Sequence, residues 1–191
     1  LLDQMIECNT AIAQEGMHGD YGANIGKVIA IRKDLPSLLK AYAAAGSDAR
    51  MNGCELPVVI NSGSGNQGLT VSVPLIIYAE REHLDKEKLY RALVISNLTA
   101  IHLKTEIGRL SAFCGAVSAG AACGAGLAYL KDASEEVMNH TIVNALAITS
   151  GIICDGAKAS CAAKIAVSVE AGILGYDMYM NGQQFYGGDG I

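Results

Sequence analysis

Apolar residues recur at helical spacing along most of the chain, and short polar or glycine-rich segments separate the resulting runs. The pattern predicts helices near residues 2–16, 25–32, 69–79, 85–103, 110–130, 134–151 and 162–179, with a further helix from Pro36 to Gly46 or Gly53. Strand character is confined to residues 58–60. We therefore predict a mainly α-helical, compact domain with glycine-rich loops at helix N-termini.

The run over residues 110–130 is uncharged and about as long as a bilayer span. It consists mostly of Ala, Gly, Ser and Cys, which contribute little free energy of membrane insertion. Small residues also repeat every four positions on two faces, at Gly115, Ala119 and Cys123 and at Ala116, Gly120 and Gly124. Such faces let helices approach closely. We predict a buried helix rather than a membrane span, and contacts between copies of the chain stay open.

Composition bounds the size and the partners of this domain. A chain of 191 residues can bury one sizeable core, so residues 1–191 are expected to form a single domain. The chain starts without Met and ends in a glycine-rich segment, which is typical of a piece of a longer protein. The net charge is −5 and no basic stripe is present, so nucleic acid is not an expected partner.

Cysteine usage indicates the compartment. The six cysteines show no disulfide-dense spacing, and two of them, Cys114 and Cys123, fall inside an apolar run. Residues 1–17 also lack the basic start of a secretory signal peptide. A reducing, cytoplasmic location is therefore expected.

A glycine-rich polar loop joins the extended segment 57–60 to the next apolar run. Its glycines free the backbone to turn N–H groups toward one point, and a helix N-terminus behind it favours an anion there. The candidate residues for a bound carboxylate or phosphate are Asn61, Ser62, Gly63, Ser64, Gly65, Asn66 and Gln67. The glycine spacing matches neither a P-loop nor a dinucleotide fingerprint. A simple helix-capping turn is the alternative interpretation.

Cys154 and Cys161 flank an Asp155-Gly156 turn. In one unbroken helix they would lie about 10 Å apart along the axis, but the turn shortens that distance, so their sulfurs can converge. Cys114, near a helix start, is a better ligand candidate than Cys123 because helix N-termini stabilise thiolates. Ordinary buried thiols are the alternative for these cysteines. Lys104 and Arg109 either neutralise a bound anion or cap the preceding helix.

Four motifs resemble the L-cysteine desulfidase family, which is related to the alpha chain of iron–sulfur L-serine dehydratase. They cover residues 61–68, 104–115, 153–161 and 179–191, in order, and the similarity runs along essentially the whole chain. The resemblance implies an all-helical catalytic domain with a [4Fe-4S] cluster held by Cys114, Cys154 and Cys161. One iron is left open for substrate. The chain resembles the C-terminal half of that family.

The implied reaction is β-elimination, in which L-cysteine and water give pyruvate, ammonia and hydrogen sulfide. L-serine is the substrate of the related family and stays an alternative here. The glycine-rich loop would hold the substrate carboxylate. Because the family's N-terminal half supplies a further cysteine and the proton-transfer group, no residue of this chain is assigned as the general base, and His18 and His102 are not candidates.

Two other interpretations of the residues remain. The first is a pyridoxal phosphate enzyme, with residues 62–68 as the phosphate cup and Lys104 or Lys158 as the Schiff-base lysine. The second is a non-catalytic helical module, in which the cysteines belong to the core and the small-residue helix mediates oligomer contacts.

Overall fold

The computed structural model describes residues 1–108, 111–154 and 156–190. Within these residues the chain forms eight helices and no strand, which confirms the mainly α prediction. The helices are α1 (Leu2–His18), α2 (Ile25–Ala30), α3 (Leu35–Met51), α4 (Gly65–Arg81), α5 (Lys86–Ile107), α6 (Gly115–Leu130), α7 (Glu135–Thr149) and α8 (Cys161–Met180). No helix in these ranges combines the length and hydropathy that a membrane span requires.

Side-chain caps fix several of the helix starts. The Asp85 carboxylate accepts the Lys88 N–H at 2.8 Å, and the Ser134 hydroxyl accepts the Val137 N–H at 3.4 Å. Both caps follow from the sequence, since Asp and Ser at these positions satisfy an otherwise unpaired N–H of the first turn. The Asp34 side chain caps α3 in the same way.

Gly16 and Gly46, which the sequence suggested as helix ends, lie inside helices, whereas Gly53, the alternative end for α3, does follow the end of that helix at Met51. A Cβ on Gly16 would lie 1.9 Å from the Ala45 carbonyl oxygen, so this glycine permits close contact between α1 and α3. Gly46 is buried and packs against Leu69 of α4. Both residues are used for helix contacts, and the packing outweighs the modest cost of glycine within a helix.

The predicted strand character of residues 58–60 is wrong. The Asn9 side chain of α1 accepts the Val59 N–H at 2.8 Å and donates to the Val59 carbonyl at 3.2 Å. Because a buried carboxamide satisfies this stretch of backbone, the extended segment needs no neighbouring strand. It runs directly into the glycine-rich loop.

Helix α6 lies at the centre and packs against α4, α5, α7 and α8. At its contact with α8, a Cβ on Gly120 would lie 2.4 Å from the Ser168 carbonyl oxygen, and a Cβ on Gly124 would lie 2.8 Å from the Gly172 Cα. The two backbones therefore touch, as the small-residue repeats predict. Because the residue numbers of both helices rise together from the first contact to the second, α6 and α8 run parallel.

Helix α4 is parallel to α6 as well. Gln67 contacts Gly115 at the start of both helices, and Leu75 contacts Gly126 further along them. The N-termini of α4, α6 and α8 consequently meet at one end of the molecule, and each carries the partial positive charge of a helix start.

Substitution of Gly120 by Ala tests the α6–α8 contact. The added methyl would meet a main-chain oxygen that no rotamer change can move, so Gly120→Ala should lower the free energy of unfolding by about 1–3 kcal/mol. Urea denaturation followed by circular dichroism measures this loss.

Gly46→Ala is the matched control. Its Cβ would lie 3.1 Å from a Leu69 methyl, which can shift, and alanine favours the helix by up to about 1 kcal/mol. We expect the urea midpoint of this variant to stay or rise. Equal midpoints for Gly120→Ala and the parent protein would contradict the proposed packing.

Candidate functional site

The glycine-rich loop is a tight reverse turn followed by the start of α4. Asn61 and Ser64 exchange backbone hydrogen bonds of 3.1 and 2.9 Å around Ser62 and Gly63. Both central residues have positive φ values, 49° and 83°, which is the pattern of a type I′ turn. The Ser64 hydroxyl then accepts the Gln67 N–H at 3.4 Å and caps α4. The loop therefore includes four fewer non-helical residues than the sequence suggested, because α4 begins at Gly65 rather than Leu69.

Some polar groups of the loop are already hydrogen-bonded within the protein, whereas others are open. Asn61 points toward α5, where it donates to the Asn97 side chain at 2.9 Å and to the Asn97 carbonyl at 3.2 Å. In contrast, the backbone N–H groups of Gly65 and Asn66 have no acceptor among the described residues. These two donors belong to the first turn of α4, where an anion is favoured.

A short antiparallel bridge between Phe113 and Ile153 brings two cysteines together. The Cys114 N–H donates to the Ile152 carbonyl at 3.1 Å, and the Cys154 N–H donates to the Ala112 carbonyl at 2.7 Å. Cys114 thus lies immediately before α6, and Cys154 lies beside Cys114 in the antiparallel segment. Sequence separation alone gave no indication of this pairing.

The turn after Cys154 brings Cys161 to the same place. The Cys154 thiol donates to the Gly156 carbonyl at 3.1 Å, and Cys161 Sγ lies 3.9 Å from the same oxygen. The Lys158 N–H also donates to Cys161 Sγ at 3.4 Å. Cys161 is the first residue of α8, so the contact between α6 and α8 places it on the same side of the molecule as Cys114.

One cavity of about 460 Å³ joins the two groups of predicted residues. It is lined by all three of these cysteines and, from the loop, by Gly63, Ser64, Asn66 and Gln67. Asn61, Ser62 and Gly65 do not line it. The cavity can hold a small polar molecule between thiols on one side and the N-terminus of α4 on the other.

Burial is the main electrostatic influence on Cys114 and raises the pKa of its thiol. The neighbouring Cys154 and Cys161 raise this pKa further, whereas the Ala116 N–H and the Lys164 ammonium lower it. A metal that binds here must therefore displace the thiol protons, and its affinity rises with pH. Cys123 differs, because it is fully buried in the core of α6 and burial alone raises its pKa strongly.

Among the described residues, no three His, Cys, Asp or Glu side chains are close enough to hold a single metal ion. The three cysteines surround a cavity rather than a point. Thiols arranged in this way suit a polynuclear centre, in which each sulfur binds a different metal atom.

Arg50 is a charged residue that lines the cavity and that the sequence did not suggest. It lies in the last turn of α3, and its Nη1 donates to the Asn66 side chain at 3.3 Å. A Cβ on Gly65 would lie 2.3 Å from the Arg50 Nε, so the guanidinium rests against the backbone of the α4 start. No local motif marks this arginine, since only the antiparallel packing of α3 and α4 brings it to the loop.

Gln67 is the most unusual polar residue of the cavity. It is only 6% exposed, and its Oε1 has no hydrogen-bond partner within the described part of the chain. Its amide group lies against Gly115, where a Cβ would come within 2.4 Å of Nε2. A buried carboxamide without a partner costs free energy unless a ligand completes its hydrogen bonds.

Lys104 lies in a neighbouring cavity of about 620 Å³, which is also lined by Ser62, Gly63 and Ile101. Lys104 is 5% exposed, and no described carboxylate forms a salt bridge with it. Gly63 is the residue that both cavities share. Two residues that the sequence singled out, Arg109 and Asp155, lie outside the described residues.

The site defines a class of protein: a helical domain with a small polar cavity set between three cysteines and a helix N-terminus. The serine dehydratase alpha chain family matches residues 1–191, and the chain belongs to this family. This membership confirms the relation to the serine dehydratase alpha chain that the four motifs indicated.

Several curated relatives are similar along their shared length. The UPF0597 protein of Desulfitobacterium hafniense is 64% identical over 100% of this chain and 45% of that protein. The UPF0597 protein of Lachnoclostridium phytofermentans is 56% identical, over 100% of this chain and 46% of its own length. The UPF0597 protein YhaM of Escherichia coli is 40% identical over 96% of this chain and 44% of its length. The chain thus spans less than half of these relatives, and no solved structure matches it significantly.

Replacement of Gln67 by Met tests whether this residue has a structural role. Met keeps the volume and removes an amide whose oxygen has no partner, so the free energy of unfolding of Gln67→Met should be unchanged or slightly higher. Thermal or urea denaturation of the ligand-free protein measures it.

Asn9→Leu is the contrasting control. The Asn9 carboxamide makes three hydrogen bonds, to the backbone of Val59 and to Ser72, and its loss leaves buried groups unpaired. We expect this variant to be at least about 2 kcal/mol less stable. A similar loss for Gln67→Met would assign Gln67 to the framework rather than to ligand binding.

Proposed function

We propose that this chain is the cofactor-binding part of an iron–sulfur lyase that catalyses β-elimination from a small amino acid. L-cysteine is the preferred candidate substrate, and L-serine is the alternative. The observation that supports this proposal most directly is the single cavity shared by Cys114, Cys154 and Cys161 and by the glycine-rich loop. Membership of the serine dehydratase alpha chain family supports the same class of chemistry.

The residues present fit a [4Fe-4S] cluster better than a single ion. Cys114 and Cys161 stand at the starts of α6 and α8, and Cys154 is held beside Cys114 by the backbone bridge. Three cysteine ligands leave one iron without a protein thiolate. When bound, the cluster supplies a Lewis acid at that open iron, which improves the β-substituent as a leaving group.

The glycine-rich loop orients the substrate in this proposal. The free N–H group of Asn66, which lines the cavity, attracts the α-carboxylate to the start of α4, and the cysteines lie on the other side of the same cavity. The amino acid is then held with its β-carbon toward the cysteines. Loss of the α-proton and of the β-substituent gives an enamine, and water converts it to pyruvate and ammonia. With L-cysteine the departing group is hydrogen sulfide, and no oxidant or reductant is consumed.

The base that removes the α-proton is assigned to another part of the longer protein. No His, Asp or Glu among the described residues lines the cavity, and a base must lie within hydrogen-bond reach of the proton it removes. The relatives are more than twice as long as the matched region, which leaves room for such a residue. Because all six cysteines are free thiols, we place the enzyme in a reducing compartment such as the cytoplasm.

Iron and acid-labile sulfide content test the ligand set. We expect about four of each per chain in full-length protein purified without oxygen. Cys114→Ser, Cys154→Ser and Cys161→Ser should each lose most of the iron and the broad visible absorbance. Production of pyruvate from L-cysteine and from L-serine, measured on the same preparations, decides the substrate.

Cys123→Ala is the matched control, because Cys123 also lies in α6 but in the closed core. It should keep its iron and its absorbance. A parent protein that folds but takes up no iron during anaerobic reconstitution would refute the lyase mechanism. Iron retained after replacement of one of the three cysteines would remove that residue from the ligand set.

A further inference from the structure

We propose that the Arg50 guanidinium binds the α-carboxylate of the substrate, an inference that rests on the proposed function of this cavity. The glycine-rich loop alone offers neutral donors. Arg50 would add the positive charge and the two-pronged geometry that a carboxylate prefers.

The position of Arg50 is the first argument. Among the described residues it is the only lysine or arginine that lines the cysteine cavity. It reaches the loop through Asn66 and rests on Gly65, next to the free N–H groups of these two residues. A carboxylate at this point would meet a guanidinium and a helix N-terminus together, and both stabilise negative charge.

The absence of a carboxylate partner is the second argument. Other cations of the fold form salt bridges, as Lys40 does with Glu170, Lys88 with Asp132 and Arg91 with Glu87. Arg50 forms none with the carboxylates of residues 1–108, 111–154 and 156–190. Its side chain donates to the side-chain amide oxygen of Asn66 and to the Met51 sulfur, both uncharged, so its charge is not neutralised within the described structure.

Gln67 gives an independent indication that a polar ligand belongs in this cavity. Its carboxamide is more than nine-tenths buried on the cavity wall, and its oxygen has no partner there. A cavity that only had to stay empty would be better lined by an apolar side chain than by this carboxamide. A polar ligand between Arg50 and the cysteines can complete the hydrogen bonds of this amide.

The arrangement also allows one small molecule to be bound at both of its ends. A substrate thiol turned toward Cys114, Cys154 and Cys161 leaves its carboxylate turned toward Arg50, and the α-carbon lies between them. Two fixed ends orient the bond that breaks, which a single anchor cannot do. The competing explanation is that Arg50 only stabilises the C-terminal end of α3 and packs against the start of α4.

Two analogues of L-cysteine separate these explanations. Mercaptopropionate with its thiol at carbon 3 keeps the thiol and the carboxylate but has no amino group, whereas cysteamine keeps the thiol and the amino group but has no carboxylate. Their dissociation constants are measured by calorimetry on anaerobic, full-length protein. Arg50→Gln should weaken binding of the mercaptopropionate about 10–100-fold and change cysteamine binding less than about twofold.

Arg50→Lys and Arg91→Gln complete the set. Lysine keeps the positive charge but lacks the planar, two-pronged guanidinium. We therefore expect Arg50→Lys to bind the mercaptopropionate more tightly than Arg50→Gln does and less tightly than the parent protein does. Arg91 is exposed on α5 and pairs with Glu87, so Arg91→Gln should leave both dissociation constants unchanged. Urea midpoints of all variants show whether the fold is kept.

Two outcomes for Arg50→Gln overturn the assignment of Arg50. One is equally weakened binding of both analogues, which indicates a structural role, and the other is unchanged binding of both. Iron content of the parent protein reports separately on the lyase proposal. An iron-free parent whose mercaptopropionate affinity still depends on Arg50 would reject the lyase and keep the carboxylate site. A parent with a full cluster and unchanged binding in Arg50→Gln would reject only Arg50. A parent that binds neither analogue would reject the carboxylate site, and its iron content would still decide the lyase proposal.

Discussion

The direct backbone contact between α6 and α8 determines where the candidate site lies. Gly120 and Gly124 bring the two parallel helices together, and their N-termini then stand side by side. Cys114 precedes one helix and Cys161 begins the other, so both cysteines inherit their positions from this contact. Cys154 joins them through the bridge between Phe113 and Ile153. Helix packing therefore positions two of the three thiols, and the backbone bridge positions the third.

The same packing creates a positively polarised end in a chain whose net charge is −5. The helix starts of α4, α6 and α8 meet there, and Arg50 and Lys164 add formal charges nearby. Backbone dipoles do not require a counter-ion or a long side chain, and they keep their direction as long as the helices stay packed. Such an end suits an anionic substrate and thiolate ligands at the same time.

The sequence predicted the helices and the caps at Asp85 and Ser134 because these depend on local periodicity and on single hydrogen bonds. It predicted that Cys154 and Cys161 can converge, and both sulfurs do lie within 3.9 Å of the Gly156 carbonyl oxygen, while the predicted turn residue Asp155 lies outside the described residues. The end of α1 at His18 lies just beyond the predicted Gly16, and Gly53 rather than Gly46 follows the end of α3. Gly16 and Gly46 instead serve tertiary contacts, which local sequence does not reveal. Arg50 could not be found in this way, because its neighbours Gly65 and Asn66 become neighbours only when α3 packs against α4.

The two cavities share Gly63, so the boundary between them at this point is main chain. Main-chain atoms, unlike a side chain, cannot be made gradually smaller or larger by point mutation. Residues 62 and 63 both hold left-handed backbone conformations, so most replacements would strain the turn before they changed the shape of either chamber. A change in the size of either cavity should therefore arise from the residues that surround this turn.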